Sequence, residues 1–231
     1  MMTIRTTAVP ALVVTALTLG SAFAGDIVGK VKYAGTAPTP AKIQVTKDQA
    51  VCGKAEHSDE SLLVGPDKGV KNVVVNISDP KDGKKYTPAA KPSLDQNGCK
   101  FVPHVDIVPA GQEVTIVNSD GILHNIHTFP KNNTPFNKAQ PKFKKEMPAT
   151  FEKPDIIQIK CDVHSWMAGW IVVAGHAYYA LTDASGNFKI DGVPAGTYTL
   201  EYWHEKLGKQ SKSVTVPATG SVTADFEYAA K

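Results

Sequence analysis

One short segment of the chain carries three metal-binding side chains at equal spacing: Cys161, His164 and Met167. Apolar runs with β-strand character lie on both sides of it, at 156–160 and 170–173, so we predict a tight loop between two strands. A thiolate and an imidazole bind copper in both oxidation states, and a thioether is a soft, weak ligand that favours Cu(I). The segment therefore predicts three ligands of a copper site, which would need one more imidazole from elsewhere.

The candidate for that imidazole is His124, which follows a predicted strand and precedes Asn125. A histidine in a loop after a strand can reach another loop at the same end of a β-sandwich. We expect Asn125 to hydrogen-bond across to the cysteine loop and to hold the two together, as residues around metal ligands do. His127 should point to the opposite face of an extended strand, and it is kept as an alternative to Met167.

Other kinds of site fit these residues less well. A binuclear copper centre would need two cysteines on the loop, and a structural zinc site would use four strong ligands, usually with more sulfur. A Cys–His hydrolase would use Cys161 as nucleophile and His164 as base, but no orienting residue or oxyanion donor is recognisable. Taken singly, these side chains have ordinary explanations, such as a buried cysteine or a core methionine. Their combination favours metal binding.

Two motifs resemble those of the cupredoxins, the plastocyanin-like and amicyanin-like blue copper proteins. They are Asn-x-Asp-x-x-x-His-Asn at 118–125 and Cys-x-x-His-x-x-Met at 161–167. The order of ligands and the amicyanin-like length of the cysteine loop are also similar. The resemblance implies a Greek-key β-sandwich that holds one mononuclear copper on His124, Cys161, His164 and Met167. Such a site moves single electrons and has no open coordination position, so enzymatic activity is not expected.

A third motif resembles the carboxypeptidase regulatory-like family, whose members are small transthyretin-like β-sandwiches. It is Thr-Asp-x-x-Gly-x-Phe-x-Ile-x-x-Val-Pro-x-Gly-x-Tyr-x-Leu, at residues 182–200. The opening Gly-x-Val strand of that family is missing just before this motif. It is found instead at 29–31, with a Val-rich strand at 72–77.

These positions predict a split sandwich. Residues 25–90 would pair with 176–231, and the copper domain, 91–175, would be inserted between them. Insertions of this kind enter at loop tips, where they disturb few contacts. The alternatives are three consecutive domains, or an N-terminal extension of the copper domain.

The remaining pattern predicts an all-β chain. Short apolar or alternating runs are separated by Gly, Pro, Asn and Asp, which is typical of sandwiches and barrels. The predicted strands are 27–33, 70–77, 104–108, 113–117, 156–160, 170–173, 178–182, 187–190, 197–203, 212–216 and 223–228. Short helices are compatible with residues 48–50 and 136–140.

The N-terminus predicts export. An apolar run at 9–19 is followed by Ala22-Phe23-Ala24, a small-x-small cleavage pattern. The run is shorter than the roughly 20 residues needed to span a bilayer, so we predict a signal peptide at 1–24 and a periplasmic or secreted mature protein. The alternative is a retained membrane anchor. No later apolar stretch is long enough to cross a membrane.

The charge distribution argues against a nucleic-acid binder. Without Arg5, 24 of the 25 basic residues remain against 22 acids, and all of them are lysines. A nucleic-acid-binding surface would be a concentrated, arginine-rich patch. Five lysines do cluster between positions 131 and 145. They are Lys131, Lys138, Lys142, Lys144 and Lys145. We interpret them first as a solvated loop, and the alternative is a docking patch for an acidic partner.

The cysteine count is odd. Once Cys161 is assigned to the metal, Cys52 and Cys99 are free to pair in an oxidising compartment. The bridge would tie the N-terminal segment to the start of the copper domain and would stabilise the fold by about 3–4 kcal/mol. The alternative is that one of the two is a reactive thiol.

Together these features predict a periplasmic type 1 copper protein that carries single electrons between partners such as a c-type cytochrome or an oxidoreductase. A copper-binding or delivery protein without redox turnover is the alternative. Delivery proteins usually display several exposed Met or His ligands, whereas only Met147 and Met167 remain after the signal peptide. A structural or adhesive β-protein with a lapsed copper site is a third hypothesis.

Overall fold

The computed structural model describes residues 24–80 and 82–230. Apart from Ala24, the predicted signal peptide lies outside these residues. The strands are β1 (Ala24–Tyr33), β2 (Val74–Ile77), β3 (Ser93–Gln96), β4 (Phe101–Val102), β5 (Val105–Pro109), β6 (Glu113–Asn118), β7 (His124–Phe129), β8 (Asn137–Gln140), β9 (Glu146–Thr150), β10 (Asp155–Lys160), β11 (Ala168–Ala174), β12 (Tyr179–Leu181), β13 (Asn187–Pro194), β14 (Gly196–His204), β15 (Gly208–Val216), β16 (Ser221–Thr223) and β17 (Phe226–Tyr228).

Helical structure in the described ranges is limited to two short pieces. One α-helical turn, α1, spans Gln49–Cys52, and a 3-10 turn spans Pro66–Lys68. The all-β prediction is therefore confirmed, and so is the short helix expected at 48–50. Among the described residues, no helix has the length and apolar character that a bilayer crossing requires.

Within residues 24–80 and 82–230, strand pairing forms four sheets, which divide the chain by position. Two of the sheets use strands from the two ends of the chain. Their strand orders are β13-β1-β16, with β17 also paired to β1, and β12-β2-β14-β15. The other two sheets use strands from the middle of the chain, in the orders β5-β11-β10-β7-β8 and β4-β3-β6-β9. We name the first pair of sheets the terminal sandwich and the second pair the central sandwich.

The terminal sandwich closes around a core shared by its two sheets. Ile27 of β1 and Ile190 of β13 are buried in the same cluster as Val75, Leu200 and Tyr202 of the opposite sheet. The β1–β13 and β2–β14 pairings join residues that are far apart in the sequence. The two ends of the chain are thus folded together.

The central sandwich has its own core. Leu94 and Ile116 face Ile157, Ile159 and Ile171 across it, and all five side chains are fully buried. Complete burial of one such aliphatic side chain stabilises a fold by about 1.5–3 kcal/mol. The core lies directly beneath the cysteine loop, which joins β10 to β11.

A third apolar cluster lies between the sandwiches. Val74 and Trp203 of the terminal sandwich pack with Val105 and Trp170 of the central one. The two indole rings meet edge to face, with their centroids 5.0 Å apart. This cluster explains why the sequence around Val74 is continuously apolar, since a strand that is buried on both faces does not alternate.

One expectation about local structure was wrong. Residues 136–140 were compatible with a short helix, but Asn137–Gln140 form β8, which pairs with β7 from His124 opposite Gln140 to His127 opposite Asn137. The buried Gln140 side chain donates to the Ile116 carbonyl oxygen at 3.1 Å and accepts from Gln96 at 2.6 Å. Pairing with the edge of β7 and these buried amide contacts stabilise a strand here rather than a helix.

The Cys52–Cys99 disulfide is formed, which confirms the pairing expected from the sequence. It links α1 to the turn after β3. Cys161 is the free cysteine, and it is buried.

Candidate metal centre

Three of the predicted ligands meet at one end of the central sandwich. His124 begins β7, Cys161 follows β10, and His164 lies in the loop before β11. The Cys161 Sγ is 3.9 Å from the Nδ1 atom of each histidine, and the two Nδ1 atoms are 3.1 Å apart. The histidines are 0% exposed and the cysteine is 2% exposed. The site is therefore a closed cluster of two imidazoles and one thiol.

The cysteine loop is set by strand register and by its own backbone. Antiparallel pairing of β10 with β11 ends with Lys160 opposite Ala168. The Cys161 N–H donates to the Met167 carbonyl oxygen at 3.1 Å, and the Met167 N–H donates to that of His164 at 2.9 Å. These bonds close the loop so that the cysteine and the histidine turn toward the same space.

His124 is fixed from the far side of its ring. Its Nε2 lies 2.9 Å from Asp120 Oδ2. The same carboxylate accepts the backbone N–H groups of Gly98 at 2.7 Å and Cys99 at 2.8 Å. Burial raises the pKa of Asp120, but the hydrogen bonds from His124 and from these two backbone groups outweigh burial and lower it. Asp120 is therefore an anion that accepts the Nε2 proton of His124.

His164 is held in the same way by Asp48, a residue from the N-terminal part of the chain. Its Nε2 lies 2.9 Å from Asp48 Oδ2. Asp48 precedes α1 and has a left-handed backbone conformation, with φ 49° and ψ 42°. With a carboxylate at each Nε2, both histidines turn their Nδ1 atoms toward Cys161. This arrangement selects the tautomer that metal ligation at Nδ1 requires.

Asn125 joins the two ligand segments, as predicted. Its Oδ1 accepts the backbone N–H groups of Asp162 at 2.7 Å and Val163 at 3.2 Å, and it lies 3.3 Å from the Cys161 Sγ. Its Nδ2 donates to Asn137 at 2.8 Å. The prediction that Asn125 holds the cysteine loop against His124 is confirmed.

The two candidates for a fourth ligand lie in different environments. Met167 is 2% exposed and packs in the central core together with Cys161. His127 has a side chain that is one-third exposed, and its Nδ1 lies 3.2 Å from Asp162 Oδ1. Its ring rests against Phe129, with the centroids 4.3 Å apart. His127 is thus directed away from the cluster, on the opposite face of β7.

The electrostatics of the cluster favour a charged form of the metal-free site. Burial lowers the pKa of His124, but Asp120 and Cys161 reverse the effect and raise it to about 9. Burial raises the pKa of Cys161, but His124 and Asn125 reverse the effect and lower it. Burial lowers the pKa of His164. A cationic His124 can therefore donate its Nδ1–H to the Nδ1 atom of a neutral His164, 3.1 Å away.

Two site residues were not found from the sequence. Asp120 lies within the Asn-x-Asp motif, four residues before His124, so a search for acceptors near each candidate ligand would have found it. Asp48 is 116 residues from His164 and has no motif of its own. Only the fold brings it to the site.

Comparisons with known proteins find both predicted resemblances in parts of the chain. Residues 169–229 match the carboxypeptidase regulatory-like domain. Solved structures that resemble part of the chain include a purple cupredoxin from Nitrosopumilus maritimus, at 21% identity and a TM-score of 0.31, covering 36% of this chain and 98% of that one. A methionine-to-alanine mutant of amicyanin in its Cu(I) form matches at 18% identity and a TM-score of 0.33, covering 43% of this chain and 97% of that one.

A copper-containing nitrite reductase from Thermus scotoductus SA-01 matches at 24% identity and a TM-score of 0.34. That match covers 42% of this chain and 25% of the reductase, so the chain spans about a quarter of that enzyme. No curated protein matches the chain.

Proposed function

We propose that this chain is an exported type 1 copper protein that carries single electrons between redox partners. One observation supports the proposal above all. The Nδ1 atoms of two buried histidines and one buried thiol face each other, while a carboxylate holds each histidine at Nε2. Two imidazoles and a thiolate, with a weak axial thioether, are the ligand set of a copper electron-transfer site.

The residues that would hold the metal are His124, Cys161, His164 and Met167. Bound there, copper would supply a one-electron couple between Cu(II) and Cu(I). Asp120 and the other groups around the ligands would keep them in place in both oxidation states, so that little rearrangement would accompany electron transfer. Burial of all four residues would exclude water and substrate, and for this reason we propose an electron carrier rather than an enzyme.

The same geometry disfavours two other uses. Structural zinc takes four strong ligands. Besides Cys161, the sulfurs near His164 belong to Cys52 and Cys99, which are already bonded to each other. A hydrolase would need an accessible nucleophile, whereas Cys161 is 2% exposed. Copper with three strong ligands and a weak fourth one is the better fit.

We also propose the split arrangement of domains, with residues 25–90 and 176–231 forming one unit and 91–175 inserted. The separate cores of the terminal and central sandwiches support it. Removal of residues 1–24 on export is part of the proposal. The Cys52–Cys99 disulfide supports an oxidising compartment, since such bonds persist outside the cytosol.

The docking face is proposed at the turn between β8 and β9. Phe143 is 86% exposed there, and three exposed lysines surround it in sequence. They are Lys142, Lys144 and Lys145. This turn adjoins the loop between β6 and β7, which leads to His124. The Asn118 N–H donates to the Lys145 carbonyl oxygen at 2.8 Å, and the Asn118 side chain donates to the Ile122 carbonyl oxygen at 2.8 Å.

An exposed aromatic ring among lysines suits an acidic protein surface such as that of a c-type cytochrome or an oxidoreductase. Lys138, on β8, is exposed and lies shortly before the turn in sequence. Lys131 is different: it follows β7 at the end opposite His124. We therefore leave Lys131 out of the proposed face.

The visible spectrum of the copper-loaded protein tests the function. We expect an intense band from thiolate-to-Cu(II) charge transfer, which Cys161→Ser abolishes while the far-UV circular dichroism is retained. Ser165→Ala, an exposed change in the same loop, is the matched control and should keep the band. Stoichiometric copper without colour would contradict electron transfer and favour copper binding or delivery.

A further inference from the structure

A segment from the N-terminal part of the chain leaves its own sandwich and covers the metal centre. The strands before and after it, β1 and β2, belong to the terminal sandwich, but Val45, Val51 and Cys52 pack against the core of the central one. We name residues 45–57 the cap segment. Its far end contacts the cysteine loop, because the His57 ring meets the Trp166 ring edge to face, with the centroids 5.9 Å apart. Within the segment, His57 Nε2 lies 2.9 Å from the Cys52 carbonyl oxygen.

The cap segment contacts His164 through two of its residues. Asp48 accepts the Nε2 proton of His164 across 2.9 Å. The sulfurs of Cys52 and Cys99 lie within 4.8 Å of a nitrogen of the same ring. His164 is completely buried as a result, although it lies in a loop at the end of a sandwich.

The disulfide also joins the supports of the two histidines. Cys52 follows Asp48 by one helical turn, and the backbone N–H of Cys99 is held by Asp120. A covalent bond therefore connects the segment that positions His164 to the turn that positions His124. Trp166 adds a further contact, since its Nε1 donates to the Cys99 carbonyl oxygen at 3.2 Å.

We propose that the cap segment is a latch, fastened by the Cys52–Cys99 disulfide, that closes the metal centre and positions His164 through Asp48. Asp48 is a positioning residue, because its contact is with a ligand side chain. The inference rests on the proposed function for the identity of the metal. Closure of the cluster itself is a property of the metal-free chain and can be measured there.

The test is the rate at which a small disulfide reagent, 5,5′-dithiobis(2-nitrobenzoate), modifies Cys161 in the metal-free folded protein. We expect slow modification in the wild type and a rate about tenfold or more higher in Asp48→Ala, since access controls thiol reactivity. Asp48→Asn keeps a hydrogen-bond acceptor for His164 and should restore most of the protection. Glu56→Gln removes an exposed charge from the same segment and is the matched control.

The disulfide is tested with Cys52→Ser/Cys99→Ser by the same assay. We expect modification of Cys161 at least as fast as in Asp48→Ala. Since this double variant loses stability, Asp48→Ala, whose altered side chain is 39% exposed in the wild type, is the decisive case. Wild-type modification rates in a folded Asp48→Ala protein would overturn the latch.

Failure of the latch and failure of the proposed function give different results. A coloured copper form with unchanged thiol reactivity in Asp48→Ala would overturn the latch alone. A colourless copper form together with a protected Cys161 would overturn electron transfer alone. The imidazole N–H resonance of His164 provides a second readout, and its exchange with water should accelerate in Asp48→Ala.

Discussion

Asp120 and His124 are joined by a contact of 2.9 Å between a carboxylate oxygen and the ring nitrogen that faces away from Cys161. The contact is almost completely shielded from solvent, with the histidine side chain 0% and the aspartate side chain 6% exposed. Asp120 also anchors the turn at Cys99. One carboxylate thus sets the orientation of a proposed ligand and its distance from the disulfide.

We expect Asp120→Ala to weaken copper binding by about 10–100-fold, the usual cost of removing a hydrogen-bond partner from a ligating histidine. Competition with a chromophoric copper chelator measures the affinity. Asp67→Ala, at a side chain that is 83% exposed, should bind copper as the wild type does. Equal affinities of Asp120→Ala and the wild type would show that the contact does not orient the ligand.

Copper binding should depend on pH through His124. Its pKa of about 9 in the metal-free protein means that the ring carries an extra proton at neutral pH, and ligation at Nδ1 must displace it. The apparent affinity should therefore rise with pH up to about 9 and level off above it. Calorimetry at pH 7.5 in two buffers of different ionisation enthalpy should show proton release, and equal heats in the two buffers would contradict the prediction.

The convergence of His124, Cys161 and His164 could be predicted from the sequence because each lies within a local motif. Cys161 and His164 share one loop, and the apolar alternation on both sides fixed where that loop begins and ends. His124 follows a strand with equally clear alternation. The sequence pattern was sufficient to predict a strand or loop wherever the residues that form it are close together in the sequence.

The parts that could not be predicted depend on contacts between distant segments. Asp48 reaches His164 only after the two ends of the chain fold into the terminal sandwich, so no local pattern marks it. Strand β8 is short and mostly polar, so its own sequence does not predict a strand. It is a strand because it pairs with the edge of β7. Lys131 and Lys145 are close in sequence, but β7 and β8 separate them toward opposite ends of the sheet.

The Cys52–Cys99 disulfide should stabilise the metal-free protein. It closes a loop with a sequence separation of 47 residues, and its reduction should lower the free energy of unfolding by about 3–4 kcal/mol. Urea unfolding in a Cys161→Ser background isolates the effect, because the oxidised and reduced forms of one chain are compared. Coincident unfolding midpoints, with mass spectrometry confirming full reduction, would contradict this expectation.

The lysines around Phe143 should control reaction with anionic redox partners. Hexacyanoferrate(III) is a suitable probe, because it accepts one electron from the Cu(I) form. Lys144→Glu should slow the reaction several-fold at low ionic strength, and the difference should shrink as salt screens the charges. Lys131→Glu makes the same charge change at the opposite end of β7 and should have a smaller effect. Equal slowing by both variants would argue against a localised docking face.

Asp106, on β5, should make stability depend on pH. Burial raises the pKa of this carboxyl group from its ordinary value of 3.8 to about 6 in the folded protein. The folded state thus binds a proton more tightly than the unfolded state does. Stability is therefore highest below pH 4 with respect to this group. It falls as the pH rises through about 6, the pH at which half of the buried carboxyl groups have ionised.

Asp106→Asn removes that titration and keeps an oxygen that can accept the Ile107 backbone N–H. We expect the variant to be more stable than the wild type by about 2–3 kcal/mol at pH 7.5, since each unit of pKa shift corresponds to about 1.4 kcal/mol. At pH 4 the difference should be close to zero. Urea unfolding at both pH values measures it, with Glu227→Gln at an exposed position as the control. A stability difference that does not change between pH 4 and 7.5 would mean that Asp106 is not the group whose burial opposes ionisation, because only a titrating carboxyl makes the difference depend on pH.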